Sequence, residues 1–227
     1  MRAPISVVIP TLNAEACLPA CLAALGEGLA AGLIRELVIS DGGSVDASLV
    51  IAEAAGARVL SGPASRGGQL RRGVGAAQGD WLLVLHADTV LAEGWTEAVL
   101  PALSQPGGWY FRLRFDGSGL APRLVAGWAN LRSRLFGLPY GDQGLLIDRQ
   151  SYAEAGGFPD IPLMEDVALA RALRGRLRPL SVEAITSAGR YRRDGWLRRG
   201  ARNLWCLARY RAGVPPERLA RDYARRR

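Results

Sequence analysis

The only histidine of the chain, His86, stands two residues before Asp88 in LLVLHADTV (82–90), at the end of an aliphatic run. A hydrophobic strand buries its body and presents its last residues at a sheet edge, so this pair would sit on a rigid support at a cleft floor. A hard dication such as Mg²⁺ or Mn²⁺ takes one or two carboxylates and is completed by phosphate oxygens and water. Asp88 suits such a metal. His86 is either a second ligand or a group that orients a phosphate, with a hydrogen-bonded core histidine as the alternative. Two more apolar runs end in polar groups. ISVVIP (5–10) leads into Pro10, Thr11, Asn13 and Glu15, and IRELVIS (34–40) into Asp41, Gly42, Gly43 and Ser44. Helix capping accounts for Asn13 or Ser44, but poorly for Asp88, which is well ahead of the next expected helix. A further acidic pair, Glu165 and Asp166 in MEDV, opens an expected helix. The helix dipole favours acids there, and a positioned carboxylate there could also act as a general base.

The elements that must hold these groups alternate. Strands are expected at 5–10, 34–40, 57–62 and 80–88, with helices over 15–32, 44–56 (Ser44 as N-cap, Gly56 as stop), 68–79 and 94–105. This pattern predicts an α/β fold: a mainly parallel, Rossmann-like open sheet with helices on both faces. Beyond residue 106 the pattern loosens. Strands are expected at 108–117 and 143–149, and helices near 120–137 and over 164–175. In the tail, Leu197, Ala201, Leu204, Trp205 and Ala208 share one face of an expected helix. The expected boundaries are a domain at 1–188, split near 106 into a nucleotide-binding half and an acceptor half (107–188), and a basic helical tail at 189–227.

Charge marks the same boundary. The net charge is +8 and every basic residue is arginine, yet residues 189–227 hold 13 arginines against three acids, a net of +10. A basic appendix on a near-neutral body suits an anionic partner: a diphosphate, a lipid surface or a nucleic acid. The opening MRAPISVVIP lacks the apolar region of a signal peptide, and no apolar run is long enough to span a bilayer. A cytoplasmic location is expected, with peripheral attachment at the inner face of the membrane as an extension of it. Cys17, Cys21 and Cys206 make no disulfide framework.

Four segments, VVIPTLNAE, LVISDGGSVDAS, RGGQLRRGVGAAQGDWLLVLHADT and GGFPDIPLMEDVALARAL, together resemble a family 2 glycosyltransferase of the GT-A fold, over about residues 5–213. Within that family the chain is most similar to a short bacterial subgroup labelled as arsenosugar-biosynthesis-type transferases. The resemblance implies a metal-assisted, inverting transfer of a sugar from a UDP-sugar or GDP-sugar to an acceptor hydroxyl. It implies that Asp41 bonds the nucleotide base, with Pro10, Thr11, Asn13, Glu15, Ser44 and Ala87 around the nucleotide and Arg66 and Gln69 approaching the base or phosphates. Asp88 matches the metal-binding Asp of the family's Asp-x-Asp motif, whose first Asp is His86 here. Asp166 matches the catalytic base, with Glu165 beside it. Asp142 and Gln143 in YGDQG are candidates to face acceptor or donor, or else a turn pair. Arg190 and Arg193 in RYRRDGW are candidates for a flap over the diphosphate, or else a solvated loop. Two rival readings stand beside this one. A nucleotidyltransferase is weakened because the loop after the first strand lacks glycines and a basic residue. A non-catalytic scaffold would hold an anionic membrane or RNA through its basic tail. On the leading reading no nucleic acid partner is expected, and the tail helix could equally pack on the body or on a second subunit as a homodimer.

Overall fold

The structure is a computed structural model in which residues 3–224 are described; the arginines at 225–227 of the expected basic tail lie outside the described residues. Strands β1 (Ile5–Thr11), β2 (Ile34–Asp41), β3 (Arg58–Ser61) and β4 (Trp81–Val84) pair in parallel as β3-β2-β1-β4. β4 is apolar throughout and β1 carries only Ser6 and Thr11 as polar side chains, because both faces are covered, as parallel sheets require. Ile5, Val7, Ile9, Leu83 and Leu85 face one layer, which includes Leu18 and Trp95; Val8, Leu82 and Val84 face the other, with Leu70, Val74 and Leu169. The strand period of two assigns these faces. The first layer holds α1 (Leu18–Ala24), α2 (Gly26–Ala30), α3 (Ser48–Ala54) and α5 (Trp95–Val99); the second holds α4 (Arg66–Ala76) and α8 (Glu165–Ala172).

The sheet continues with β5 (Thr89–Leu91), β6 (Gly108–Phe115), β7 (Leu145–Asp148) and β8 (Leu177–Thr186), giving the order β3-β2-β1-β4-β7-β6-β8-β5. β7 is antiparallel to both β4 and β6, while β8 runs parallel to β6. One sheet edge therefore collects the ends of β1, β2, β4, β6 and β8 and the start of β7. The expected fold class is the observed one.

Several local expectations change. The 15–32 helix breaks into α1 and α2. The 44–56 helix begins only at Ser48, and its first turn is held by Asp46, whose Oδ1 accepts from the Ser48 N–H at 3.0 Å; Ser44 is not the cap. β4 ends at Val84, after which the chain turns, with the Thr89 N–H donating to His86 O at 3.0 Å. β8 was not anticipated from the sequence. The remaining helices are α6 (Leu120–Phe136), α7 (Arg149–Glu154), α9 (Gly189–Asp194), α10 (Trp196–Arg211) and α11 (Pro216–Ala224). α10 buries Arg199, Cys206 and Leu207, so the expected apolar face of Leu197, Ala201, Leu204, Trp205 and Ala208 points outward. Among the described residues, no helix is long and apolar enough to cross a membrane.

Candidate active site

At the edge where β1 and β2 end, two loops lock together. The Asn13 N–H donates to Ser44 Oγ (2.8 Å) and the Val45 N–H to Asn13 Oδ1 (2.9 Å). One turn on, the Glu15 N–H donates to Asp46 Oδ2 (3.0 Å) and the Ala47 N–H to Glu15 Oε2 (2.9 Å). Each loop caps the backbone of the other. Asn13 has φ of +50°, a conformation that Asn tolerates better than most residues.

Asp41 lies beneath this clasp, 1% exposed. Its Oδ1 accepts from Thr11 Oγ1 (3.0 Å) and Ser44 Oγ (2.5 Å), and its Oδ2 from the N–H groups of Gly43 (2.7 Å) and Ser44 (2.8 Å). A carboxylate has about four acceptor positions, and all four are occupied. Burial alone would raise its pKa, but the bonds from Ser44, Gly43 and Thr11 hold it below the usual range. In this conformation Asp41 builds the loop and has no free lone pair for a base. Gln69 is likewise committed. Its Nε2 donates to Thr11 O (2.7 Å) and Ser40 O (2.9 Å), tying the ends of β1 and β2 together. Arg72, which the sequence reading passed over, adds a bond from Nη2 to Asp41 O (2.8 Å).

The open cleft, about 130 Å³, lies beyond the ends of β4, β6 and β8, where His86, Phe115 and Thr186 line it. Arg66, His86, Asp88, Asp142, Asp166 and Arg190 all line it, although they come from five separate stretches of chain. Asp166 stands in the first turn of α8. Its Oδ2 accepts from the Gly141 N–H (2.8 Å) and its Oδ1 from the Val167 N–H (2.7 Å). The residue before the helix, Met164, has φ of +70°, strain of the kind that collects at functional sites. His86 is wedged against the same Gly141, where any Cβ would fall 2.4 Å from His86 Nε2. A larger residue there would collide with the ring, so the Nε2–Cε1 side of the imidazole is held against the loop that orients Asp166. Burial holds the His86 pKa below its ordinary value, against the pull of Asp88, which keeps the ring neutral at neutral pH. Asp142 is pushed up to about 6 by burial, opposed by Arg132 and reinforced by Asp166 and Asp88, and its Oδ1 is buried with no partner.

Pro10, Thr11, Asn13, Glu15, Asp41, Ser44, Gln69 and Ala87, anticipated around the nucleotide, do not line this cleft, and three more anticipated residues also lie outside it. Gln143 is fully buried; its Oε1 accepts from Ser133 Oγ (2.6 Å) and its Nε2 donates to Phe111 O (3.2 Å), so it pins α6 to the sheet and reaches no ligand. Arg193 pairs on the surface with its neighbour Asp194 (3.2 Å). Glu165 lines a second, mostly apolar cavity with Leu70, Val84 and Leu169, and its Oε2 has no partner. Burial, reinforced by Asp166, pushes its pKa up to about 7. Conversely, Tyr140, Tyr191, Asn203 and Tyr223 line the cleft without having been foreseen. The stacking of Arg132 on Tyr140, 3.5 Å from the ring centre, leaves no local sequence signature.

An open, mostly parallel sheet with acids and arginines converging at one strand-end edge, and an antiparallel extension along the same edge, is the arrangement of the GT-A fold. The family model for glycosyl transferase family 2 matches residues 6–128, more than half of the chain, and the chain belongs to that family. A PGL/p-HBAD biosynthesis glycosyltransferase of Mycobacterium tuberculosis is 41% identical over 110 residues, which is 45% of this chain and 42% of the relative. The match thus spans about two-fifths of that relative's length. Among solved structures, glucosyl-3-phosphoglycerate synthase from M. tuberculosis, crystallised with Mn²⁺, UDP and glucosyl-3-phosphoglycerate, shares the fold at a TM-score of 0.54 and 24% identity, over 81% of this chain and 70% of that one. S. aureus TarS residues 1–349, in complex with UDP-GlcNAc, shares it at a TM-score of 0.62 and 15% identity, over 81% and 58%.

Proposed function

We propose that this chain transfers a sugar from a nucleoside diphosphate donor to an acceptor hydroxyl with inversion, with Asp166 as the base. The observation that carries the reading is the convergence of Arg66, His86, Asp88, Asp166 and Arg190 on one cleft at the strand-end edge of a family 2 chain. The acceptor oxygen forms a bond to the anomeric carbon while the bond from that carbon to the diphosphate breaks. The electron pair leaves with the diphosphate, and the acceptor proton passes to Asp166. Direct displacement needs one base, and the two backbone N–H groups on Asp166 hold its carboxylate in place. Arg66 and Arg190 meet the charge that gathers on the leaving diphosphate.

A divalent cation fits this cleft as a guest completed by its substrate. Asp88 supplies one carboxylate, Asp142 adds an unpartnered buried oxygen, and no group of three or more His, Cys, Asp or Glu among the described residues forms a ready cage. Mg²⁺ or Mn²⁺ held by Asp88 would supply Lewis-acid neutralisation of the diphosphate. The Mn²⁺ and UDP bound by the mycobacterial synthase support a UDP-sugar donor, with a GDP-sugar as the next candidate.

The test is a thermal-shift panel of UDP- and GDP-sugars, with Mn²⁺ or with EDTA, followed by donor turnover. One donor should stabilise the wild type with metal only. Asp166→Asn should keep that shift and lose turnover by about 10²–10⁴-fold. Equal shifts in EDTA would remove Asp88 from the metal role, and full turnover in Asp166→Asn would remove the base.

A further inference from the structure

Two neighbouring helices expose apolar faces that no other described residue covers. On α6, Leu120, Leu124, Trp128, Leu131 and Leu135 recur at spacings of four, four, three and four, and are 46–76% exposed. The rotation of α6 is fixed from behind. Asn130 grips both the N–H and the carbonyl of Leu113 (2.8 and 3.0 Å), and Ser133 holds Gln143. On α10, Leu197 is 89% exposed, Leu204 43% and Trp205 63%. Between the helices runs a groove of about 250 Å³, walled by Leu124, Trp128, Trp196, Leu197 and Leu204. Its inner end is formed by Tyr140, Asp142, Tyr191 and Asn203, the same residues that line the catalytic cleft. Exposed arginines flank both stripes: Arg123 and Arg134 on α6, Arg198 and Arg211 on α10.

We propose that this face docks on an anionic lipid bilayer and that the groove takes the hydrocarbon chain of a lipid acceptor, whose headgroup hydroxyl then reaches Asp166. The acceptor half of this statement rests on the glycosyl-transfer reading. Apolar patches of this extent mark interaction surfaces, and helices with leucine and tryptophan on one side and arginine beside them lie in the plane of a membrane interface. The charge selects the occupant. A second copy meeting this face by two-fold symmetry would set arginines against arginines, whereas anionic headgroups neutralise them. Continuity with the cleft sets the acceptor class, because a chain lying in the groove leads its polar end to Asp142 and Tyr140.

The experiment compares wild type with Leu197→Glu/Leu204→Glu, both surface positions, so the core is untouched and equal melting temperatures should confirm the fold. Wild type should sediment with phosphatidylcholine vesicles containing phosphatidylglycerol, and at least about tenfold less with phosphatidylcholine alone. The double variant should lose that binding and keep its nucleotide-sugar thermal shift. Dodecyl maltoside below its micelle concentration should stabilise wild type where maltose does not, and should not stabilise the variant. Indifference of wild type to anionic vesicles, or a dimer that the variant dissolves, overturns the docking. Equal responses to maltose and dodecyl maltoside overturn the chain site. Vesicle binding without any nucleotide-sugar binding leaves the docking standing and overturns glycosyl transfer instead.

Discussion

The two acids of MEDV are neighbours in sequence and opposites in surroundings. Asp166 is oriented by two backbone N–H groups at the cleft, whereas Glu165 is 1% exposed with an unpartnered oxygen in an apolar cavity. Successive residues in a first helical turn point about 100° apart, so one can serve chemistry while the other is buried. Glu165 then carries a pH signature. Its pKa rises from an ordinary 4.5 to about 7 in the fold, so between those values the folded state holds a proton that the unfolded state has lost. Stability from this residue is present below about 4.5 and is lost as pH rises through about 7. Glu165→Gln removes the titration. Chemical denaturation at pH 5 and pH 8 should show wild type losing on the order of 2 kcal/mol more than the variant across that interval. Equal losses would mean that Glu165 is not buried as an acid.

At the scale of elements, α4 links the strand ends to α8. Gly67 packs so tightly on the 159–161 loop that a Cβ would lie 2.0 Å from Pro159 O, and its N–H donates to Ile161 O at 3.0 Å. Gly75, two turns further along the same helix, faces open space. Gly67→Ala should cost about 1–3 kcal/mol and, by displacing the loop that leads into α8, lower turnover. Gly75→Ala should stabilise by about 0.5–1 kcal/mol. Urea melts of the two variants check both signs, and a neutral Gly67→Ala would show that the loop yields freely.

The same elements show what the sequence made legible. β1, β2 and β4 were readable because their buried cores, VVI, LVI and LLV, are β-branched or aliphatic runs long enough to stand out despite Ser6, Arg35 and Glu36. β8 was not readable. LRPLSVEAIT carries Pro179 and charged residues because only Leu180, Ala184 and Thr186 are buried, and a part-solvated strand with a proline lacks a strong period. His86 and Asp88 stood out by type at the end of an apolar run, whereas Asp166 needed the family resemblance, because an acid that opens a helix reads equally well as a partner of the helix dipole. Tyr140 and Tyr191 were missed because an aromatic residue between elements reads equally well as packing. Asp41 and Gln69 were recognised as special, but their hydrogen bonds run inward to the loops and strand ends.

At the scale of the whole molecule, the C-terminal helices form a wall of the cleft and a part of the core. Amphipathic periodicity revealed that α10 has two faces without revealing which one packs. The structure buries Cys206 and Leu207 together with Leu219 of α11 against Leu163, Met164 and Val167, the residues around Asp166. Buried Arg199 completes the contact, pairing with Asp194 (2.5 Å) and donating to Tyr223 Oη (2.9 Å). A substitution far along the chain should therefore reach the catalytic end. Leu219 is 1% exposed, so Leu219→Ala leaves a cavity and should cost about 2–4 kcal/mol. Because that cavity opens in the cluster that also holds the strained Met164, turnover should fall even at temperatures where the variant remains folded. Melting curves and turnover measured well below the midpoint separate the two effects. A variant with wild-type stability would show that α11 does not bear on the core, and one that is destabilised yet fully active below its midpoint would show that the C-terminal helices hold the fold without holding Asp166.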